Sequence, residues 1–149
     1  MTLEELLETE NIKQLRIKYS HYFDGKKIEE LSELFTEDAI CEFGPDYGGD
    51  WIGRDAIREN FQRFADGEGP PYGVLHAVTN PLIEIKSKTI AHGRWYLHDL
   101  MTQEGQKNTQ ILYGIYDDVY KKVFGRWLIY RTRIDFLWPK RKVGPPRTF

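Results

Sequence analysis

The chain has 149 residues, 40% hydrophobic and 14% aromatic with a formal net charge of −2, enough for one domain that buries about two-thirds of its unfolded surface. That balance excludes a disordered chain and gives no basis for nucleic-acid binding. It contains no run of about 18 apolar residues and no apolar stretch behind a basic start, so neither a membrane span nor a signal peptide is expected.

In chain order, Thr2 to Phe23 is predicted to be a helix. Thr2 and Glu5 have capping-box spacing, and Ile12, Leu15, Tyr19 and Tyr22 recur at three- and four-residue steps. Asp24-Gly25 closes it, with Gly25 suited to the left-handed position past a helix end. Lys27 to Leu34 forms a second, short helix. A strand is expected from Ala39 to Phe43, and the segment "GPDYGGDWIG" is too rich in Gly and Pro for a regular element. A third helix runs from Arg54 to Phe64, with Ile57, Phe61 and Phe64 along one stripe. From Tyr72 onward the period becomes alternating. "VLHAVTNPLIEI" and "TIAHGRWYLHDL" flank "KSK", and "TQILYGIYDDVYKKV" and "RWLIYRTRIDFLW" flank "FG", giving two hairpins of long, twisted strands. Pro139, Pro145 and Pro146 end regular structure, so residues 139–149 form a basic tail on a single domain of residues 1–138.

Helices followed by antiparallel strands imply an α+β domain in which the helices pack on one face of a strongly curved, mostly antiparallel sheet. Such a cone encloses a pocket, a common place for a small-molecule site. Cys41 is the single cysteine. It cannot form an internal disulfide, is expected as a small buried hydrophobe, and favours a cytoplasmic location.

No nucleophile elbow, Walker loop or dinucleotide fingerprint is present. His21, His76, His92 and His98 show no metal-ligand spacing, so no metal is expected. Asp24 breaks a local rule, because an acid at a helix C-terminus opposes the partial negative charge there. Two readings follow: simple turn chemistry, or an acid held at a pocket to partner an imidazole. His76, in an apolar strand, is either a structural histidine or a general base. Alternation places Gly93, Trp95, Leu97 and Asp99 on one face. Arg131 and Arg133 share a face with Trp127 and Ile129; on the concave side they would bind an anionic group, on the convex side they would be solvated or at a subunit contact. Tyr19 lies on the apolar stripe of the first helix, either as core or as a phenol at the pocket wall. In a regular helix five residues turn about 500°, so Tyr19 and Asp24 would point roughly 140° apart.

The stretches "IKQLRIKYSHYFDGKKIEELSELFTEDA", "GRDAIRENF", "LHAVTNPLIEI" and "YGIYDDVYKKVFGRWLIYRTR" together resemble the SnoaL-like members of the nuclear transport factor 2-like superfamily, whose fold is the cystatin-like α+β cone. Within it, "KY" followed by "DGK", a histidine before a Pro-containing strand, and "GRWYLHD" look most like bile-acid 7α-dehydratase. Scytalone dehydratase and hexachlorocyclohexane dehydrochlorinase look similar as well. The resemblance implies catalytic roles for Tyr19, Asp24, His76 and Asp99. It also implies a pocket arginine, for which Arg131 or Arg133 would serve from a shifted offset, with Trp95 beside the substrate. It implies no cofactor, and a dimer or trimer built on the outer face of the sheet, where the Trp- and Tyr-rich strands after Leu112 would supply apolar area.

The expectation is a dehydratase-type lyase using Asp–His acid–base chemistry on a hydrophobic steroid-, terpenoid- or polyketide-like molecule. The alternatives are an isomerase or cyclase with the same groups, or a binding domain without chemistry. No nucleic-acid or membrane partner is expected, since a short charged tail is usually solvated.

Overall fold

The computed structural model describes residues 1–67, 72–103 and 105–148. Helix α1 (Leu3–Asp24) starts at a complete capping box. The Thr2 hydroxyl accepts from the Glu5 N–H at 3.1 Å, and the Glu5 carboxylate accepts from the Thr2 N–H at 2.8 Å. Two donors close its far end: Lys26 N–H reaches the Phe23 carbonyl at 3.1 Å and Lys27 N–H reaches that of Tyr22 at 2.8 Å. This is the pattern of a left-handed helix cap. The left-handed residue is Lys26, at φ 55°, one position beyond the glycine expected there. Gly25 keeps a right-handed φ of −86° and is needed for space, since a Cβ there would lie 2.9 Å from the His21 carbonyl oxygen.

The remaining elements are α2 (Ile28–Ser32), β1 (Phe35–Glu42), β2 (Trp51–Ile52), α3 (Arg54–Gly67), β3 (Tyr72–Ile85), β4 (Ile90–Gln103), β5 (Gln110–Val123) and β6 (Arg126–Trp138). β1 begins earlier than expected. The segment expected to be irregular holds a 3-10 turn (Pro45–Tyr47) and the short β2, because burying Trp51 draws its backbone into register with Cys41. One sheet forms in the order β2-β1-β6-β5-β4-β3, antiparallel throughout except for the parallel β1–β6 pair. The helices lie against its concave face, and Tyr19, Phe35, Ile57, Phe61, Trp95 and Ile129 meet in the core. The architecture is the expected α+β cone. Cys41 is fully buried, and that burial pushes its thiol pKa up.

A bulge decides which β6 side chains face the core. Tyr120 pairs with Ile129 and Val119 pairs with Arg131, leaving Tyr130 as an extra residue. Parity reverses there: Trp127 and Ile129 are buried in the core on one side of the bulge, and Thr132 on the other. Arg131 and Arg133 therefore turn to the convex face, against strict alternation.

The convex face is ionic at its centre. Asp117 and Asp135 are buried there among Arg94, Arg133 and Arg147. Burial alone would raise the Asp117 pKa; hydrogen bonds from His92 and Arg147 overcome this and hold it below the usual carboxylate value. The tail is tied down here. Gly144 N–H donates to Asp135 at 3.0 Å, and Arg147 donates to Asp117 at 2.5 Å and to Glu42 at 2.9 Å. Residues 139–148 thus cross the sheet where a solvated tail was expected; Phe149 lies outside the described residues. Trp127, in one of the strands after Leu112, is buried and donates its indole N–H to Glu8. Among the described residues no helix is long and apolar enough to cross a membrane.

Candidate active site

The cap of α1 aims Asp24 at the edge strand β3. An edge strand leaves every second backbone N–H without a neighbouring strand, and Asp24 fills that gap at His76. One carboxylate oxygen accepts from the His76 backbone N–H at 2.9 Å, and the other lies 2.6 Å from the ring Nδ1. A carboxylate can only accept, so Nδ1 carries the proton and Nε2 of the neutral ring keeps its lone pair. The two N–H donors offset the unfavourable position of an acid at a helix C-terminus. The acid at this helix end thus has a tertiary explanation.

His76 is directly opposite Asp99 in the β3–β4 register, so both side chains project to the concave face. Nε2 is 3.5 Å from an Asp99 carboxylate oxygen. Burial is the main cause that raises the Asp99 pKa above its usual value; His76 opposes the rise and Asp24 adds to it. The other Asp99 oxygen is buried with no hydrogen-bond partner among the described residues. Phe23 packs on the imidazole with ring centres 4.4 Å apart, and the His76 side chain is 9% exposed.

These groups open into a cavity of about 120 Å³ whose wall is largely aromatic: Tyr19, Phe23, Phe43, Tyr47, Trp51, Phe61, Phe64 and Tyr116 surround His76 and Asp99. Asp24 does not line it and acts from behind the imidazole. The angular separation of Tyr19 and Asp24 on α1 is therefore no obstacle, because the two approach His76 from different sides. The Tyr19 and Tyr116 hydroxyls lie within hydrogen-bonding reach of each other, and burial drives both phenol pKa values upward. Arg16 counteracts this, its guanidinium 4.4 Å from the Tyr19 ring centre and 3.7 Å from that of Tyr116.

Of the residues singled out from the sequence, Tyr19, His76 and Asp99 come together at the cavity and Asp24 supports them. Three do not. Arg133 is on the convex face bonded to Asp135 at 3.0 Å, and Arg131 is 3.9 Å from Glu42. The β6 bulge is the reason. Trp95 does face inward, but its indole N–H donates to the Tyr120 hydroxyl at 3.1 Å in the core, away from the cavity lining. His92 and His98 are on the convex side, bonded to Asp117 and Thr79. Among the described residues no group of three or more His, Cys, Asp or Glu could hold a metal.

Sequence reasoning missed Arg16, Asp118, Tyr47 and Tyr116. Fully buried Arg16 donates to both Asp118 oxygens at 3.1 and 2.7 Å and to Thr132 at 2.7 Å, and Tyr120 completes the set through Asp118 at 2.7 Å. A signal existed: Arg16 lies four residues after Ile12 and three before Tyr19, on the apolar stripe. Tyr47 carried none, since it sits in a segment without periodicity.

The sequence matches the SnoaL-like domain family over residues 4–133. The fold superposes on that of a candidate scytalone dehydratase from Novosphingobium aromaticivorans DSM 12444, with a TM-score of 0.82 at 28% identity over 97% of each chain. It also superposes on LinA, with a TM-score of 0.79 at 16% identity over 97% of this chain and 98% of that one. An NTF2-like protein with a cystatin-like fold, from Novosphingobium aromaticivorans, matches with a TM-score of 0.71 at 21% identity, over 91% of this chain and 86% of its own. The last two likenesses concern the fold alone.

Proposed function

Because the chain belongs to the SnoaL-like domain family, we propose that it is a cofactor-independent lyase of the dehydratase type, acting on an uncharged hydrophobic small molecule. The observation that supports this is the imidazole of His76, clamped by Asp24 at 2.6 Å with Nε2 turned toward an aromatic cavity beside Asp99. In the reaction, Nε2 takes a proton from the carbon next to a substrate carbonyl. The electron pair forms a C=C bond as the C–O bond to the β-hydroxyl breaks. That hydroxyl leaves as water with a proton from the Asp99 carboxyl, which the imidazolium 3.5 Å away then restores. A Tyr19 or Tyr116 hydroxyl hydrogen-bonds the carbonyl oxygen as it gains charge. Asp24 holds the tautomer and stabilises the imidazolium. The likeness to a candidate scytalone dehydratase at 28% identity supports elimination of water as the reaction class.

Isomerisation is a second reading, favoured by the adjacency of Nε2 and Asp99, two proton carriers on one cavity wall. A panel of cyclic β-hydroxy ketones separates the two: elimination lowers the product mass by one water, isomerisation leaves it unchanged. With a substrate found, His76→Ala loses about 10²- to 10⁴-fold in turnover. Full activity in that variant overturns the assignment, and binding without turnover across the panel leaves a ligand-binding domain.

A further inference from the structure

A chamber of about 120 Å³ is small. An apolar cavity of about 150 Å³ holds one benzene molecule, whereas small-molecule sites usually run from about 300 to 1,000 Å³. A second hollow of about 410 Å³ adjoins it, and Tyr47, Asp99, Met101 and Leu112 line both. Gln110, Ile111 and Pro139 complete the outer hollow, and neither compartment has a Lys or Arg in its lining among the described residues.

Tyr47 stands where the two meet. Its ring stacks on Phe136 at 6.3 Å with the planes 12° apart and also contacts Phe43 and Phe64. Its backbone is held: the Tyr47 carbonyl accepts from the Trp51 indole N–H at 3.1 Å, and Gly48 and Gly49 bond back to Pro45 and Gly44 at 3.2 and 3.0 Å. The flanking glycines Gly44, Gly48 and Gly49 have φ values of 73°, 80° and 100°, a left-handed backbone that glycine adopts without strain. Burial raises the Tyr47 phenol pKa, and the field of Asp99 adds to that rise.

We propose that Tyr47 is the gate between two compartments of one substrate site: an inner chamber sized for a single uncharged ring, and an outer vestibule that takes the remainder of the molecule. The substrate class narrows accordingly to a one-ring carbonyl compound with an apolar or neutral polar substituent. A fused polycycle enters only when the Tyr47 ring swings out. An anionic substituent finds no fixed cation in either space among the described residues, so it is rejected. The inference rests on the lyase reading only in placing the reacting ring at His76.

The test needs no turnover. Cyclohexanone, cyclohexanecarboxylate and 2-decalone are titrated into the wild type, Tyr47→Ala and Tyr47→Phe, with NMR signals of the His76 ring and the Trp51 indole as readouts. In the wild type cyclohexanone shifts both signals, and cyclohexanecarboxylate binds at least about tenfold more weakly. In Tyr47→Ala the affinity for 2-decalone relative to cyclohexanone rises about tenfold, while Tyr47→Phe, which keeps the ring, holds the wild-type ratio. Equal ratios in all three proteins overturn the gate and leave the lyase reading standing. Carboxylate binding as tight as ketone binding overturns the uncharged-substrate class. If no ligand moves the His76 signals, the chamber and the lyase reading fall together.

Discussion

Asp24→Asn keeps the side-chain shape and replaces one acceptor oxygen by an NH₂ donor. The native carboxylate accepts from two donors, the His76 backbone N–H at 2.9 Å and ring Nδ1–H at 2.6 Å. A backbone N–H cannot reverse its polarity, so the asparagine oxygen must stay with it, and the NH₂ then faces Nδ1. Keeping the proton on Nδ1 would leave two donors opposed, at a cost of about 1–3 kcal/mol. At about 1.4 kcal/mol per factor of ten, the native tautomer falls roughly tenfold to a hundredfold in population. The ring instead places its proton on Nε2, and the lone pair leaves the cavity. The carboxylate that stabilised the imidazolium is lost as well. Turnover should drop by about 10⁴-fold, as when the carboxylate behind a catalytic histidine becomes an amide. Nitrogen-15 NMR of the labelled imidazole tests the cause directly: Nε2 changes from the unprotonated to the protonated type while His76 stays in place. An Nε2 that remains unprotonated in Asp24→Asn would refute the reasoning, whatever the activity.

Removing the charge from buried Arg16 should be costly. Arg16→Met strands Asp118, 0% exposed, with Tyr120 as its remaining hydrogen-bond donor, at about 3–5 kcal/mol in urea unfolding; adding Asp118→Leu should recover most of that loss, and a double variant as unstable as the single would contradict this account. Asp99→Asn should stabilise the fold while harming catalysis. The folded pKa of Asp99 is raised above its usual 3.8, so the carboxyl holds its proton more tightly when folded, and the destabilising effect of its ionisation accrues as pH rises from the unfolded through the folded value. The stabilisation from Asn is accordingly present at pH 7 and fades below the ordinary carboxylate pKa; a gain that persists at about pH 2–3 would show another origin. Lys26→Gly should stabilise by about 1 kcal/mol, because Lys26 occupies a left-handed φ of 55° that costs a side-chain-bearing residue about that much; an unchanged denaturation midpoint would refute it.

Much of the fold was legible because its signals are local. The capping box at Thr2, the stripe Ile12–Leu15–Tyr19 and the alternation that sets Asp99 beside Leu97 each depend on neighbours a few residues away. The partners of the site were less accessible. Asp24 and His76 are 52 residues apart and Arg16 and Asp118 are 102 apart. The resemblance supplied the first pair; the apolar stripe marked Arg16, but no local signal named Asp118 as its partner. Tyr47 belongs to a segment whose place is set by Trp51 packing against Phe61 and Phe43, a contact no local period encodes.

By itself the sequence determined where the long helices and the four long strands run, that the fold is an α+β cone, and which acid and histidine were candidates for catalysis. Tertiary structure decided which side chains reach the cavity. The two arginines of β6 make the difference plain: alternation put Arg131 and Arg133 beside Trp127, but the ladder to β5 and β1 inserts Tyr130 as an extra residue and reverses the side chains that follow it, both arginines among them. Side-chain direction in a strand has a period of two, so a single unpaired residue, chosen by hydrogen bonds to other strands, moves two cations from the cavity's side of the sheet to the opposite one.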